Sequence, residues 1–531
     1  MTTELFCGGR IYSPMASDAT AMAVTDGIVS WIGEDRTGRA LHPGVRITDL
    51  AGSFVAPAFV DTHVHVTDLG LSLIGLDLSG CTSLEHCLRV LAEHASSSSD
   101  ALIWGHGWDE TGWPEHRAPS TADLDAAAPG RPVYLTRIDS HSAAVSTPLR
   151  VAATGIESVT GFSEQSPLTA AAHHLARQTA RSMITPGTRA LARTAALDSA
   201  AAQGIVAVHE CAGPIVSGID DFRELMAAEH GVEVRGYWGE LVETVEQARQ
   251  LLGDTGAHGL AGDIFVDGSL GSRTAWLSSP YADGAGSGAP YEDVDAIAAH
   301  ISACTTAGIQ AGFHVIGDAA VSAAVTAFER VVAELGTPAV AACGHRLEHL
   351  AMVAPEQAEK LASWGTIASM QPMFDALWGG SDGLYSARLG AGRASALHPF
   401  ARLASAGVAL AFGSDAPVTR LDPWATIRAA VNHRTPGSAI SPRAAFSAGT
   451  RGAWRAGGVR DGLAGTLVPG APASFAVWEV DELVVRAPKD SVQRWSTDPR
   501  AGVSPLPGLD PSSTSPQCSM TVHRGQVIHE N

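Results

Sequence analysis

Phe54-Val-Ala-Pro-Ala-Phe-Val-Asp-Thr-His-Val-His-Val-Thr67 is an apolar run that leads straight into His63-Val64-His65. In a strand, successive side chains alternate between faces, so His63 and His65 stand side by side while Val64 turns away. Two imidazoles held together at a strand end make half of a site for a borderline metal such as zinc. An isolated His-x-His is more often a pair of ordinary core or surface histidines. The reading therefore depends on what the rest of the chain supplies.

Outward from this stretch, apolar strand candidates alternate with Ala-rich helical stretches, the pattern of a parallel α/β fold. Strands are expected at 60–66, 205–209, 234–239, 264–267, 310–315, 345–349, 367–371 and 410–414. Eight is the number a closed (β/α)8 TIM-like barrel needs, with an open doubly wound sheet as the alternative that periodicity leaves standing. The gap between the first two strands is too long for a simple crossover. Residues 68–188 must then form an insertion with elements of its own, including a helix at 83–94 and a strand at 131–137. A Gly/Ser/Pro-rich segment at 268–290 reads as a long loop over the barrel mouth.

The two ends of the chain share one texture: short alternating runs at 5–12, 21–24 and 27–33, and again at 470–478 and 520–528. Half-sheets at opposite ends can pair into one small β-sandwich. The expected organisation is 1–56 for its N-terminal half, 57–455 for the barrel with insertion 68–188, and 456–531 for its C-terminal half.

The length of 531 residues and the 45% hydrophobic content suit a large cored domain with a smaller companion. A formal net charge of −20 argues against nucleic acid or an anionic membrane as partner. A small-molecule substrate is the expected partner, with homo-oligomerisation left open. The seven cysteines are scattered without a Cys-x-x-Cys pair, which reads as reduced intracellular thiols. The first residues lack a basic region followed by an apolar core, and no apolar run is long enough to span a bilayer, so a cytoplasmic location is expected. The chain holds two lysines, Lys360 and Lys489.

Catalysis in such a barrel belongs at the strand ends. Those ends carry His63, His65, His314, His349 and Asp415. A lone histidine there is usually a hydrogen-bonded core residue, and a lone aspartate a turn or helix cap. Their joint occurrence in this strand order is what points to a catalytic metal site with an open position for water.

With these residues in place, the chain resembles the amidohydrolase superfamily, and most closely its branch containing N-substituted formamide deformylases. The resemblance runs through Pro57-Ala-Phe-Val-Asp-Thr-His-Val-His65, Gly105-His-Gly-Trp-Asp109, Arg137-Ile-Asp-Ser-His141, Asp267-Gly-Ser-Leu-Gly-Ser-Arg-Thr-Ala275, His314-Val-Ile-Gly-Asp318, Arg346-Leu-Glu-His349 and Gly413-Ser-Asp-Ala-Pro417. It implies a (β/α)8 barrel, a composite β-sandwich, and a divalent metal held by His63, His65, His314, His349 and Asp415. It also implies that Asp415 shuttles a proton from water to the leaving amine, which a carboxylate beside a bound metal can do.

One position departs from the family pattern. Many relatives carry a lysine just before the Phe-x-Asp-Gly motif, and its carboxylated form can bridge two metals. This chain has Asp263 there. Lys360 lies in a helical run and Lys489 near the C-terminus, so neither substitutes. The expectation is one divalent metal per chain, zinc first with iron or manganese as alternatives. Asp263 is then either a ligand or an acceptor that orients a histidine. Glu210 is a second replacement carboxylate, with a solvated loop residue as its alternative.

On the substrate side, Trp108 could wall an apolar pocket or simply pack, and His141 could donate to an oxyanion or cap a loop. Arg273 could bind a carboxylate or carbonyl, or form a loop ion pair, and Gln371 could contact substrate. Asp267, Glu348 and Asp318 read as orienting residues, whereas His94, His173 and His174 read as solvated. The leading expectation is a hydrolase of a non-peptide C–N bond, an amide or N-substituted formamide. The rivals are a mononuclear hydrolytic deaminase and an inactive barrel that binds a small molecule.

Overall fold

The computed structural model describes residues 2–165, 167–484 and 504–531. Lys489 lies outside these residues, as does part of the expected C-terminal half-sandwich. Among the described helices, none is long and apolar enough to cross a membrane.

The centre of the fold is TIM-barrel-like. Phe59–Val64, Ile205–Ala212 and Glu233–Trp238 form one parallel sheet, and Gly312–Val315, Arg346–His349, Ile367–Met370 and Ala409–Phe412 form a second. Single bridges join them on both sides. Val64 meets Ala416 on one side; Tyr237 meets Gly259, Leu260 meets Ala311 and Phe265 meets His314 on the other. Helices such as Asp318–Leu335 cover the outside with Ala, Val and Phe, filling a continuous apolar core against the strands.

The fourth expected strand, 264–267, is not a regular strand. Gly262 adopts φ +84 and Ile264 N donates back to Gly262 O at 3.0 Å, which kinks the chain before a ladder can form. A Cβ at Gly262 would lie 3.1 Å from the Cys211 side chain, so the left-handed turn and the close approach both call for glycine. The kink is what turns Asp263 inward.

Residues 68–188 hold their own five-stranded sheet, in the order Leu168–Thr169, Ser142–Val145, Val133–Arg137, Ile103–Trp108, Leu76–Asp77. The expected helix at 83–94 spans Leu84–Ser97, with the Ser83 side chain accepting from His86 N. Val66–Ile74 carries the chain from His65 into this unit and packs on Pro186–Ala202 at very short range. A Cβ at Gly70 would sit 1.8 Å from Ala192 O.

Phe475–Glu479 pairs antiparallel with Phe54–Pro57 and with Gln517–His523. Chain segments from both termini thus share one five-stranded sheet. A second sheet, built from Thr3–Cys7, Ala21–Thr25, Ile28–Gly33 and Arg46–Asp49, faces it across a core that includes Phe6, Met22, Val55, Phe475 and Val522.

Candidate metal centre

His63 and His65 stand at the end of Phe59–Val64, His314 within Gly312–Val315, His349 at the end of Arg346–His349, and Asp415 just past Ala409–Phe412. The kinked segment adds Asp263. The two carboxylates sit among the imidazoles. Asp263 Oδ1 lies 3.5 Å from His63 Nε2 and 3.6 Å from His314 Nδ1, while Asp263 Oδ2 is 3.3 Å from His65 Nε2. Asp415 Oδ1 is 3.2 Å from His65 Nε2 and 3.6 Å from His63 Nε2. His349 completes the group, its ring 4.4 Å from His314 and 5.0 Å from His63.

Three of the imidazoles have their other nitrogen tied up. His63 Nδ1 donates to Glu348 Oε2 at 3.0 Å, His349 Nδ1 to Gln371 Oε1 at 2.7 Å, and His314 Nε2 to Gly268 O at 3.2 Å. An acceptor on one nitrogen fixes the tautomer and leaves the opposite lone pair aimed at the middle. Glu348 is held in turn by Arg346, which is completely buried and also donates to Thr62 O and Ser369 Oγ. Burial would raise the Glu348 carboxyl, but Arg346 and His63 outweigh it and hold it down at about 2.

The donor set fits a divalent cation. His63 Nε2 and Asp263 Oδ1 are buried, face each other, and have no hydrogen-bond partner among the described residues. Burial alone would push His63 down and Asp263 up. Instead the carboxylates of Asp263 and Asp415 hold His63 well above the usual histidine range, and the imidazoles hold Asp263 well below the usual carboxylate range. The cluster therefore favours positive charge at its middle. Mixed imidazole and carboxylate donors suit zinc, iron or manganese. A neighbouring trio of His63, Cys211 and Glu348 is a poorer candidate: Arg346 already neutralises Glu348, and burial pushes the Cys211 thiol up to about 12.

The main chain around Asp415 is firmly tied. Asp415 N donates to His63 O at 2.8 Å, Asp61 accepts from Ser414 N, and His106 Nε2 donates to Pro417 O at 3.0 Å. His106 belongs to the insertion, so that unit helps to place a barrel residue. Asp415 itself adopts φ +58, uncommon for a residue with a side chain, and its carboxylate borders a cavity. His141, His314 and His349 share that cavity with an apolar wall that includes Ile316, Phe374, Trp378 and Tyr385.

The remaining candidates fall elsewhere. Trp108 does not border the cavity. It is buried in the insertion's core, its Nε1 donating to Leu135 O at 2.9 Å, because an irregularity at Gly107 (φ +100), where the ladder with Val133–Arg137 shifts register, breaks the alternation and turns Trp108 to the face of Ile103. Arg273 pairs with Asp283 at 2.8 Å on the exposed loop, the alternative reading of that residue. Gln371 is buried against His349 and does not line the cavity. Glu210 is no solvated loop residue: it is 2% exposed, accepts from Val66 N at 2.7 Å, and burial lifts it to about 7. His173 is not solvated either, since it meets Tyr134 Oη at 2.8 Å inside the insertion, and His174 packs on Phe265. Asp267 accepts from Ile316, Gly317 and Trp276 amides, and Asp318 from Ser278, both holding loops. Lys360 pairs with Glu329 on the surface, remote from these groups.

Arg346 and His106 carry parts that the sequence reading left without a role, and His398 borders the cavity. Arg346 and His106 stood inside the quoted motifs. His398, in Leu397-His-Pro399, had no signal beyond its residue type.

Residues 46–529 match the amidohydrolase family. YtcJ of Bacillus subtilis, named as an amidohydrolase, is 29% identical over 452 residues, which cover 80% of this chain and 82% of its own. An N-substituted formamide deformylase of Arthrobacter pascens is 26% identical over 130 residues, 24% of each chain. The crystal structure of an uncharacterised metal-dependent hydrolase from Pyrococcus furiosus aligns with a TM-score of 0.68 at 26% identity, over 90% of this chain and 98% of its own.

Proposed function

The chain belongs to the amidohydrolase family, and on that footing we propose that this metal-dependent hydrolase cleaves a non-peptide C–N bond, in an amide or N-substituted formamide. The observation that carries the reading is the convergence of His63, His65, His314, His349, Asp263 and Asp415 beside one cavity. The short likeness to a formamide deformylase supports the choice of bond.

The same reading takes the two parallel sheets as one closed (β/α)8 barrel with 259–266 in its fourth position. It places the domain limits at 1–56, 57–455 and 456–531. The six named side chains would hold one divalent ion, zinc before iron or manganese. When bound, such an ion supplies acidified water near neutral pH and polarisation of a carbonyl oxygen.

The protein's own groups do the rest. Asp415, tied through its backbone to His63, accepts the proton that water loses and returns it to the leaving nitrogen. His141 stands against His314, their rings 5.2 Å apart. Burial and the neighbouring His314 hold it at about 3, so it is a neutral imidazole that can donate to the developing oxyanion. Phe374, Trp378 and Tyr385 exclude water from the side of the cavity that takes the nitrogen substituent.

The test is to incubate the zinc-loaded protein with paired amides, N-substituted formamides and ring amines. Release of an acid together with an organic amine is expected, and it should disappear in Asp415→Asn. Release of ammonia would move the protein to the deaminases, and no hydrolysis of any compound would defeat the reading.

A further inference from the structure

Among the described residues that line the cavity, His398 has a property its neighbours lack. It is 2% exposed, and neither ring nitrogen has a hydrogen-bond partner among the described residues. An imidazole buried with both polar atoms unmet is costly, and a purely structural position here would be filled at less cost by an apolar ring.

Its surroundings are aromatic. Phe374 stacks on His349 at 5.9 Å and meets His398 edge-on at 6.2 Å, so one ring links the metal centre to this histidine. Tyr385 lies 5.8 Å away on another side. The backbone of His398 adopts φ +48 and is pinned there, its N–H donating to Ala351 O at 2.9 Å and its carbonyl accepting from Phe400 N at 2.8 Å. Left-handed backbone in a residue with a side chain marks a position held by its surroundings, often at a ligand site. Burial, with His433 adding to it, holds His398 at about 3. The ring is neutral and offers one N–H donor and one lone pair.

Resting on the hydrolase reading above, we infer that His398 is a substrate-recognition residue. It hydrogen-bonds a hydroxyl or carbonyl carried at the far end of a flat, apolar nitrogen substituent, while the scissile carbonyl lies at the metal centre.

The experiment uses two formamides that differ by one hydroxyl, those of phenethylamine and tyramine, with the zinc-loaded enzyme. A satisfied buried hydrogen bond should favour the hydroxylated compound by about tenfold or more in kcat/KM. The ratio should fall to about twofold or less in His398→Phe, and likewise in His398→Asn, which tolerates left-handed backbone but has a shorter reach. A ratio near one in the wild type, or a ratio that the substitutions leave unmoved, overturns the inference; a histidine satisfied only by water would give that result. If neither formamide is cleaved, the hydrolase reading is decided by the wider set of amides, formamides and ring amines above, not by this pair. Calorimetric binding of tyramine against phenethylamine to the same three proteins then reads His398 separately: a preference lost in both variants supports the role, and an unchanged preference overturns it.

Discussion

Asp263 and Asp415 present carboxylate oxygens to the same nitrogen, His65 Nε2, at 3.3 and 3.2 Å. Two anions brought this close around one imidazole repel each other unless a positive charge stands between them. In the proposed reading that charge is the bound ion, and one of the groups that hold it is Asp263. Replacing it by Asn should weaken metal affinity by roughly 10–100-fold, the scale on which losing a supporting polar group acts. Competition with a chelating dye measures this, and an unchanged affinity would return Asp263 to a purely structural part.

Asp415→Asn separates chemistry from folding. Asparagine keeps the shape and tolerates the positive φ, so the melting temperature should change little. Turnover should fall by about 10²–10⁴, the usual worth of a positioned acid–base group. Normal kcat in this variant would remove the proton-transfer role.

Trp108→Ala and Arg273→Ala should part company. Removing a fully buried tryptophan that fills the insertion core costs about 3–5 kcal/mol. The exposed Arg273–Asp283 pair is worth about 0–1 kcal/mol. Chemical denaturation of both variants checks the contrast, and a large activity loss in Arg273→Ala at normal stability would reopen a substrate role for that residue.

Glu233 gives a pH prediction remote from the metal. It takes Arg235 of its own strand at 2.8 Å and joins that strand to the C-terminal hairpin through Arg524 at 3.0 Å. Burial would raise its carboxyl, yet His523 and the two arginines hold it at about 2, below its ordinary 4.5. A depressed carboxyl stabilises the fold fully above its unfolded value, and that stability is lost as pH falls toward the folded one. Melting temperatures of wild type and Glu233→Gln should differ most near neutral pH and converge between about pH 4.5 and 2. A gap that stays constant across that range would contradict the linkage.

The sequence was most legible where one element carries the signal. Period two at His63-Val64-His65, and polar residues closing apolar runs at His349 and Asp415, need no knowledge of distant neighbours. The alternating texture of the N- and C-terminal half-sheets was legible for the same reason. Asp263 was visible only as a departure from a pattern, because its inward aim comes from the Gly262 kink and its approach to Cys211. Pairings across the fold were not legible at all: His63 meets Glu348 across 285 positions and His106 reaches Pro417 across 311. For a related reason Trp108 follows its packing alternative, while Gln371 and Glu210 face a histidine and a backbone amide. Residue type says what a side chain can do, and only tertiary packing says whether it faces the cavity, a histidine or the core.

The account stands on one divalent ion gathered by four imidazoles and two carboxylates, and elemental analysis of the purified protein tests that most directly. Close to one equivalent per chain is expected, with most of it lost in both His63→Ala and His314→Ala. Two equivalents per chain, or full metal content in both alanine variants, would contradict it.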